Sequence, residues 1–113
     1  MSDVILIGDD PDDLEARLNE RSLTVTMLDG RPIGTDLDAA GIDEATVLLL
    51  TDTQNASIIP VAHERNDRIL IALYSTDRLP DFVSAQADLS VDPALIDPDS
   101  FVEAIVDHVG ATR

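Results

Sequence analysis

Three carboxylates stand where apolar runs stop. Asp9 and Asp10 follow Val4–Ile7, and Asp52 follows Val47–Leu50. A cluster built only of carboxylates suits a hard divalent cation such as Mg²⁺, so Asp9, Asp10 and Asp52 form the candidate metal set.

A second chemistry shares the same turns. Gly8 ends the first apolar run, and Asp29 ends the second about twenty residues later, where an acid can hydrogen-bond a ribose. Thr51, Asp52 and Asn55 follow the third run. Gly8 and Asp29 are therefore candidate cofactor-binding residues. Asp9, Asp10, Asp12 and Asp13 crowd the place where a diphosphate would meet a helix N-terminus, so phosphate binding is expected to be weakened by like charge.

Other chemistries are excluded. There is no cysteine, hence no disulfide and no thiolate site. His63 and His108 lie far apart, without a second imidazole at metal-ligand spacing, and read as surface residues. No serine has a nucleophile-elbow context. No residue is assigned a catalytic role.

The charge balance is lopsided: 23 acidic residues against seven basic ones, a formal net charge of −16. Every basic residue is arginine. Such a chain repels itself in dilute buffer, whereas at molar salt the Debye length falls to about 3 Å and the repulsion is screened. The composition points to the salt-in cytoplasm of an extreme halophile, an archaeon. Without a cationic patch, and with aromatics at only 3%, neither nucleic acid nor an anionic membrane surface is an expected partner. No apolar run nears the ~18 residues of a membrane span, and the start Met1-Ser2-Asp3 lacks the basic region of a secretory signal. Residues 1–113 read as a single cytoplasmic domain.

The elements that must carry these residues alternate. Val4–Ile7 predicts a strand buried on both faces. Asp10-Pro11 starts a helix that runs to about Arg21. Leu23–Leu28 is the second strand. Asp36–Ala40 is a short helix stopped by Gly41, and 45–50 is the third strand. A helix within 53–65 must start late, around 55–57, or bend at Pro60. Arg68–Tyr74 is the fourth strand, with Tyr74 partly buried at its end. A helical turn is expected over Asp81–Ser84 and a fifth strand over Ala87–Val91. Asp97-Pro98 opens a last helix whose stripe is Phe101, Val102, Ile105, Val106 and Val109. Strand–helix alternation predicts a three-layer α/β Rossmann-like sandwich on a five-stranded parallel sheet, order 2-1-3-4-5.

On the segment from Ala40 through Gly41-Ile42-Asp43-Glu44 and Val47–Leu50 to Thr51-Asp52 and Asn55, the chain resembles the nucleotide-binding domain of the regulator-of-potassium-conductance (RCK, TrkA-N type) family. Arg68–Ala72 and the stretch from Ala87-Asp88 to Pro93 are similar to later segments of that family. Only the first glycine of the family's phosphate fingerprint, Gly8, is kept, and the stretch between Asp29 and Asp36 is short. The resemblance implies a stand-alone, degenerate nucleotide-binding-type module with Gly8, Asp9, Asp29, Thr51, Asp52 and Asn55 as cofactor-binding residues for a nucleotide such as NAD or AMP, a homodimer packed through helices, and a non-catalytic regulatory or interaction role with a separate protein partner. The alternative is a receiver-like phospho-switch or a Mg-dependent enzyme using Asp9, Asp10 and Asp52. Asp9, Asp10 and Asp52, with the run Ala87 to Pro93, also resemble response-regulator receivers, with Asp92 in place of their lysine; that resemblance implies Mg²⁺ held by the acids, one Asp as phosphoryl acceptor and Ser75-Thr76 as the switch hydroxyl. That exchange removes the cation that would face a phosphoryl group.

The charge reading has a direct consequence. Melting temperature should rise by several degrees between about 0.1 M and about 2 M KCl as self-repulsion is screened. A calorimetric series in KCl measures this, and a flat profile would remove self-repulsion as the reason for the composition.

Overall fold

Val4–Ile7 and Val47–Leu50 lie side by side in the sheet, and none of these eight residues is more than 1% exposed. Their continuous apolar character is what two-sided burial demands. In the computed structural model, which describes residues 2–10, 12–76 and 87–111, the elements run β1 (Ser2–Ile7), α1 (Leu14–Glu20), β2 (Leu23–Leu28), α2 (Gly34–Ala39), β3 (Val47–Leu50), α3 (Ile58–Arg65), β4 (Leu70–Tyr74), β5 (Leu89–Val91) and α4 (Pro98–Ala111). All neighbouring strands pair in parallel, in the order β2-β1-β3-β4-β5. The expected sheet and its strand order are those observed.

Alternation sorts the strand residues into two cores. Ile5, Ile7, Leu48, Leu50, Ile71 and Leu73 face Leu37 of α2 and Ile58, Ile59 and Ala62 of α3. Val4, Leu6, Val47, Leu49, Ala72 and Tyr74 face Leu14 and Leu18 of α1 and Phe101, Val102, Ile105 and Val109 of α4. The apolar stripe expected of the last helix is the face it buries. Arg17–Asp99 at 2.6 Å and Arg21–Glu103 at 2.7 Å lace α1 to α4 on the outside. These are surface pairs, each worth ~0–1 kcal/mol. Asn66, just past α3, donates from Nδ2 to the carbonyls of Ile42 and Ala45 at 2.9 and 2.8 Å, pinning the turn that enters β3.

Several element ends differ from expectation, each for a local reason. Helix α1 starts at Leu14, not at Asp10-Pro11, because Asp13 adopts a left-handed φ of 54° that interrupts the turn. Aspartate tolerates that region better than most residues. Helix α2 starts two residues early, at Gly34, and stops as expected at Gly41, whose φ is +84°. There the Gly41 N–H donates to Asp38 and the Ile42 N–H to Leu37, a Schellman closure. Pro60 sits in the first turn of α3, where its missing N–H costs nothing. Strand β5 starts at Leu89 because Asp88 pairs with Ile71 through its own N–H and its carboxylate, at 2.9 and 2.8 Å. The helical turn expected over Asp81–Ser84 lies outside the described residues. Among the described residues no helix is long and apolar enough to cross a membrane.

Leu49→Ala, which removes a side chain with no exposed surface, should cost about 2–5 kcal/mol of unfolding free energy. Urea titration in molar KCl reads the loss, and a change below ~1 kcal/mol would mean that the central strands are not packed on both faces.

Candidate functional site

Because the sheet is parallel, every strand delivers its following loop to one edge. The loops after β1, β2, β3, β4 and β5 bring Gly8, Asp9, Asp10, Asp12 and Asp13, then Asp29–Ile33, Thr51–Ser57, Ser75-Thr76 and Asp92–Asp97 to that carboxyl edge. Ligands of open α/β sheets bind there.

Gly8, Thr51 and Asp52 meet. Gly8 has φ +111°, and a Cβ on it would fall 2.9 Å from Asp52 Oδ2 and closer still to Thr51 Oγ1. Thr51 donates to the Ile7 carbonyl from its N–H and its hydroxyl. Asp52 Oδ1 accepts from the N–H groups of Gln54 and Asn55, at 3.0 and 3.4 Å. Asn55, 7% exposed, donates from Nδ2 to the Gly30 carbonyl at 3.3 Å. It ties the loop after β3 to the loop after β2, next to the exposed Asp29. Gly8, Thr51, Asp52 and Asn55 thus form one continuous floor, with Asp29 at its margin and Asp9 exposed above it.

Asp10 is used differently. Its two carboxylate oxygens accept from the N–H groups of Leu14 and Glu15 at 2.5 and 3.0 Å, filling the N-terminus of α1 with a protein carboxylate. Among the described residues no group of three His, Cys, Asp or Glu side chains is placed to hold a metal ion. Asp9, Asp10 and Asp52 as they stand do not fit a divalent cation, because the oxygens of Asp10 and Oδ1 of Asp52 already face backbone amides. Nor, among the described residues, does any ion pair join an arginine to these three acids. Asp92, at the end of β5, accepts from the Ala94 N–H at 2.8 Å. His63 is half-buried and His108 exposed.

Asp12 and Tyr74 form a contact that sequence reasoning missed. Tyr74 is buried at 1% exposure, not partly exposed, and its hydroxyl donates to Asp12 Oδ2 at 2.6 Å. Its ring tilts at 37° against Phe101, with centroids 4.7 Å apart, an arrangement aromatic pairs favour. The Asp12 carbonyl accepts from Arg17 Nε at 2.9 Å, and Arg17 also pairs with Asp99. The loop after β1 is therefore tied to β4, α1 and α4 together. Burial holds the Tyr74 hydroxyl well above the ordinary tyrosine range, and the Asp12 hydrogen bond adds to the effect. A lone tyrosine at a strand end opposite a run of aspartates was the available signal. At the far, amino edge a cleft of about 610 Å³ is lined by Asp43, Glu44, Asn66 and Arg68 among others, away from all of these residues.

Comparison with known proteins corrects one expectation. The model of a family described as a family of unknown function (DUF7126) matches residues 4–105. No curated protein matches the chain. An orphan response regulator of H. pylori superposes with a TM-score of 0.73 at 15% identity, covering 96% of each chain. A CheY-like receiver domain protein of Methanospirillum hungatei gives 0.71 at 15% identity, over 98% of this chain and 95% of that one. An atypical orphan response regulator, described as having a phosphorylation-independent regulatory mechanism, gives 0.66 at 16% identity over 96% and 92%. At such identities the likeness shows the fold alone, and that fold is the receiver's. The resemblance to the RCK (TrkA-N type) nucleotide-binding domain does not stand, and the nucleotide-binding module it implied falls with it. The strand-end motifs behind that resemblance occur wherever a parallel strand opens onto a helix. The order 2-1-3-4-5 is the flavodoxin-like and receiver arrangement, not the dinucleotide-binding order 3-2-1-4-5-6.

Tyr74→Phe should cost about 1–2 kcal/mol by removing the Asp12 hydrogen bond. The native state holds the phenol proton more tightly than the unfolded chain. Wild-type stability therefore falls as pH rises past the unfolded value near 10, and the Tyr74→Phe variant lacks that decline. Urea midpoints measured from about pH 8 to about pH 11 read both effects, and parallel curves would refute the buried phenol.

Proposed function

We propose that this chain, which belongs to the family of unknown function DUF7126, is a receiver-like regulatory module that docks a protein partner and works without phosphoryl transfer. The observation that carries the reading is the state of the carboxyl edge: Asp10, Asp52 and Asp12 face backbone amides or a phenol, and among the described residues no arginine forms an ion pair with Asp9, Asp10 or Asp52. Phosphoryl transfer in a receiver-like pocket needs positive charge to meet the growing negative charge. Here the chain has no lysine at all. Of the described arginines, Arg17, Arg21 and Arg65 pair with Asp99, Glu103 and Asp38. A phosphoryl group on Asp52 would add charge to an edge that already carries Asp9, Asp10 and Asp12, and like-charge contact in a partly desolvated site costs several kcal/mol in order of magnitude.

What remains is a rigid acidic surface. Asn55, Asp10 and the Asp12–Tyr74 pair hold its loops in one arrangement. Acidic surfaces steer cationic partners and fix their orientation, so the partner expected here is a protein presenting arginine or lysine. The phosphorylation-independent response regulator of the same fold supports this reading, and the acid-rich, cysteine-free composition supports action in the cytoplasm.

A second reading keeps Asp52 as a phosphoryl acceptor, with Asp9 and Asp10 beside it. It is favoured by the place of Asp52, directly behind β3 and against the Gly8 turn. Incubation with acetyl phosphate and Mg²⁺ in molar KCl, followed by intact-mass measurement and thermal melting, separates the two. The docking module gives no adduct and no shift in melting temperature. An adduct on the wild type that disappears in Asp52→Asn would replace it with the phospho-switch.

A further inference from the structure

One strand of this acid-rich chain carries no charge where charge is most expected. β2, with the sequence LTVTML, is an edge strand that pairs only with β1. Thr24 and Thr26 are exposed and Val25 and Met27 are half-buried. Edge strands are ordinarily blunted by charges, proline, bulges or shortness, because an open row of N–H and C=O groups invites another strand. β2 is six residues long, as long as any strand here, and has none of these devices. The loop leaving it carries Ile33, an apolar side chain 61% exposed.

We propose that β2 is a self-pairing edge, on which a second copy of this chain adds its own β2 antiparallel and joins two five-stranded sheets into one. The inference stands on the chemistry of this strand and not on the receiver-like reading. Two bodies of net charge −16 can approach only through a surface free of like charge, and β2 is such a surface. A cationic partner would be better served by the acidic carboxyl edge. Closed twofold contact requires self-complementarity, which the side chains of β2 itself decide. A twofold axis normal to the sheet keeps each side chain on its own face, so opposed residues must share parity. Two registers centre the strand. With Thr26 on Thr26, Thr24 falls opposite Leu28 of the second copy, a polar residue against an apolar one. With Val25 on Val25, Leu23 meets Met27 and Thr24 meets Thr26, apolar on apolar and hydroxyl on hydroxyl, pairings that stabilise antiparallel strands. The second register is the one the side chains select.

Light scattering on a sizing column in about 2 M KCl, where the Debye length has fallen to a few ångströms, should give twice the 12.2 kDa chain mass. The dimer should weaken as salt is removed. Thr24→Asp with Thr26→Asp sets acid opposite acid at two places and should weaken the dimer at least about tenfold, with the melting curve of the monomer retained in high salt. Mixing that variant with Thr24→Arg/Thr26→Arg should restore a heterodimer. Since the chain has no cysteine, Val25→Cys should cross-link to itself under mild oxidation. A wild type that stays monomeric in molar salt overturns the proposal. So does a double-aspartate variant that dimerises as well as the wild type, or a dimer in which Val25→Cys fails to cross-link.

Discussion

Two-sided burial of three neighbouring strands is the constraint on which everything else rests. Val4–Ile7 of β1, all of β3 and Ile71–Tyr74 of β4 have side chains sealed on both faces, so the backbone at their carboxyl ends cannot shift without opening a core. The loops beyond inherit that fixity. Gly8 can lie against Thr51 and Asp52 only because Ile7 and Leu50 pair in register beneath them. A side chain at residue 8 would have to displace the polar floor or the strands themselves.

On this base the chain treats its acids in two ways. Some act inward: Asp10 caps α1, Asp12 receives the Tyr74 hydroxyl, and Asp97 accepts from the N–H and hydroxyl of Ser100, which holds its carboxyl below the usual aspartate range. Others, such as Asp9 and Asp29, stay in solvent. The carboxylates that look from the sequence like a cluster for a cation are thus divided between structure and surface. An aspartate that satisfies helix amides contributes to folding and is less free to rearrange around a ligand.

The strands were legible because their signal is local. Val4–Ile7, Leu23–Leu28 and Val47–Leu50 are short β-rich runs, bounded by Asp3 and Gly8, by Ser22 and Asp29, and by Thr46 and Thr51, and the alternation between them and helical stretches implies the parallel sheet and its order. Pro60 likewise announced a late helix start. What stayed hidden depends on contacts or dihedrals that no window of sequence carries. The left-handed turn at Asp13 moved the start of α1. The Asp12–Tyr74 hydrogen bond joins residues 62 positions apart. The family resemblance misled for a related reason. Segments such as Gly41-Ile42 and Thr51-Asp52 report a turn into a strand and a strand end, which many doubly wound sheets share, and only the whole superposed chain separates the receiver fold from the dinucleotide-binding fold.

The two flanks of the sheet are unequal. β5 spans three residues, and Asp88 has taken by side chain the Ile71 amide that a longer strand would have used. Very short edge strands resist further pairing. With β2 self-pairing as proposed, a sheet with one receptive flank and one stunted flank would recruit a neighbour only once, and association would end in a discrete particle. The asymmetry would then guard against fibre growth at salt concentrations where electrostatic repulsion is screened.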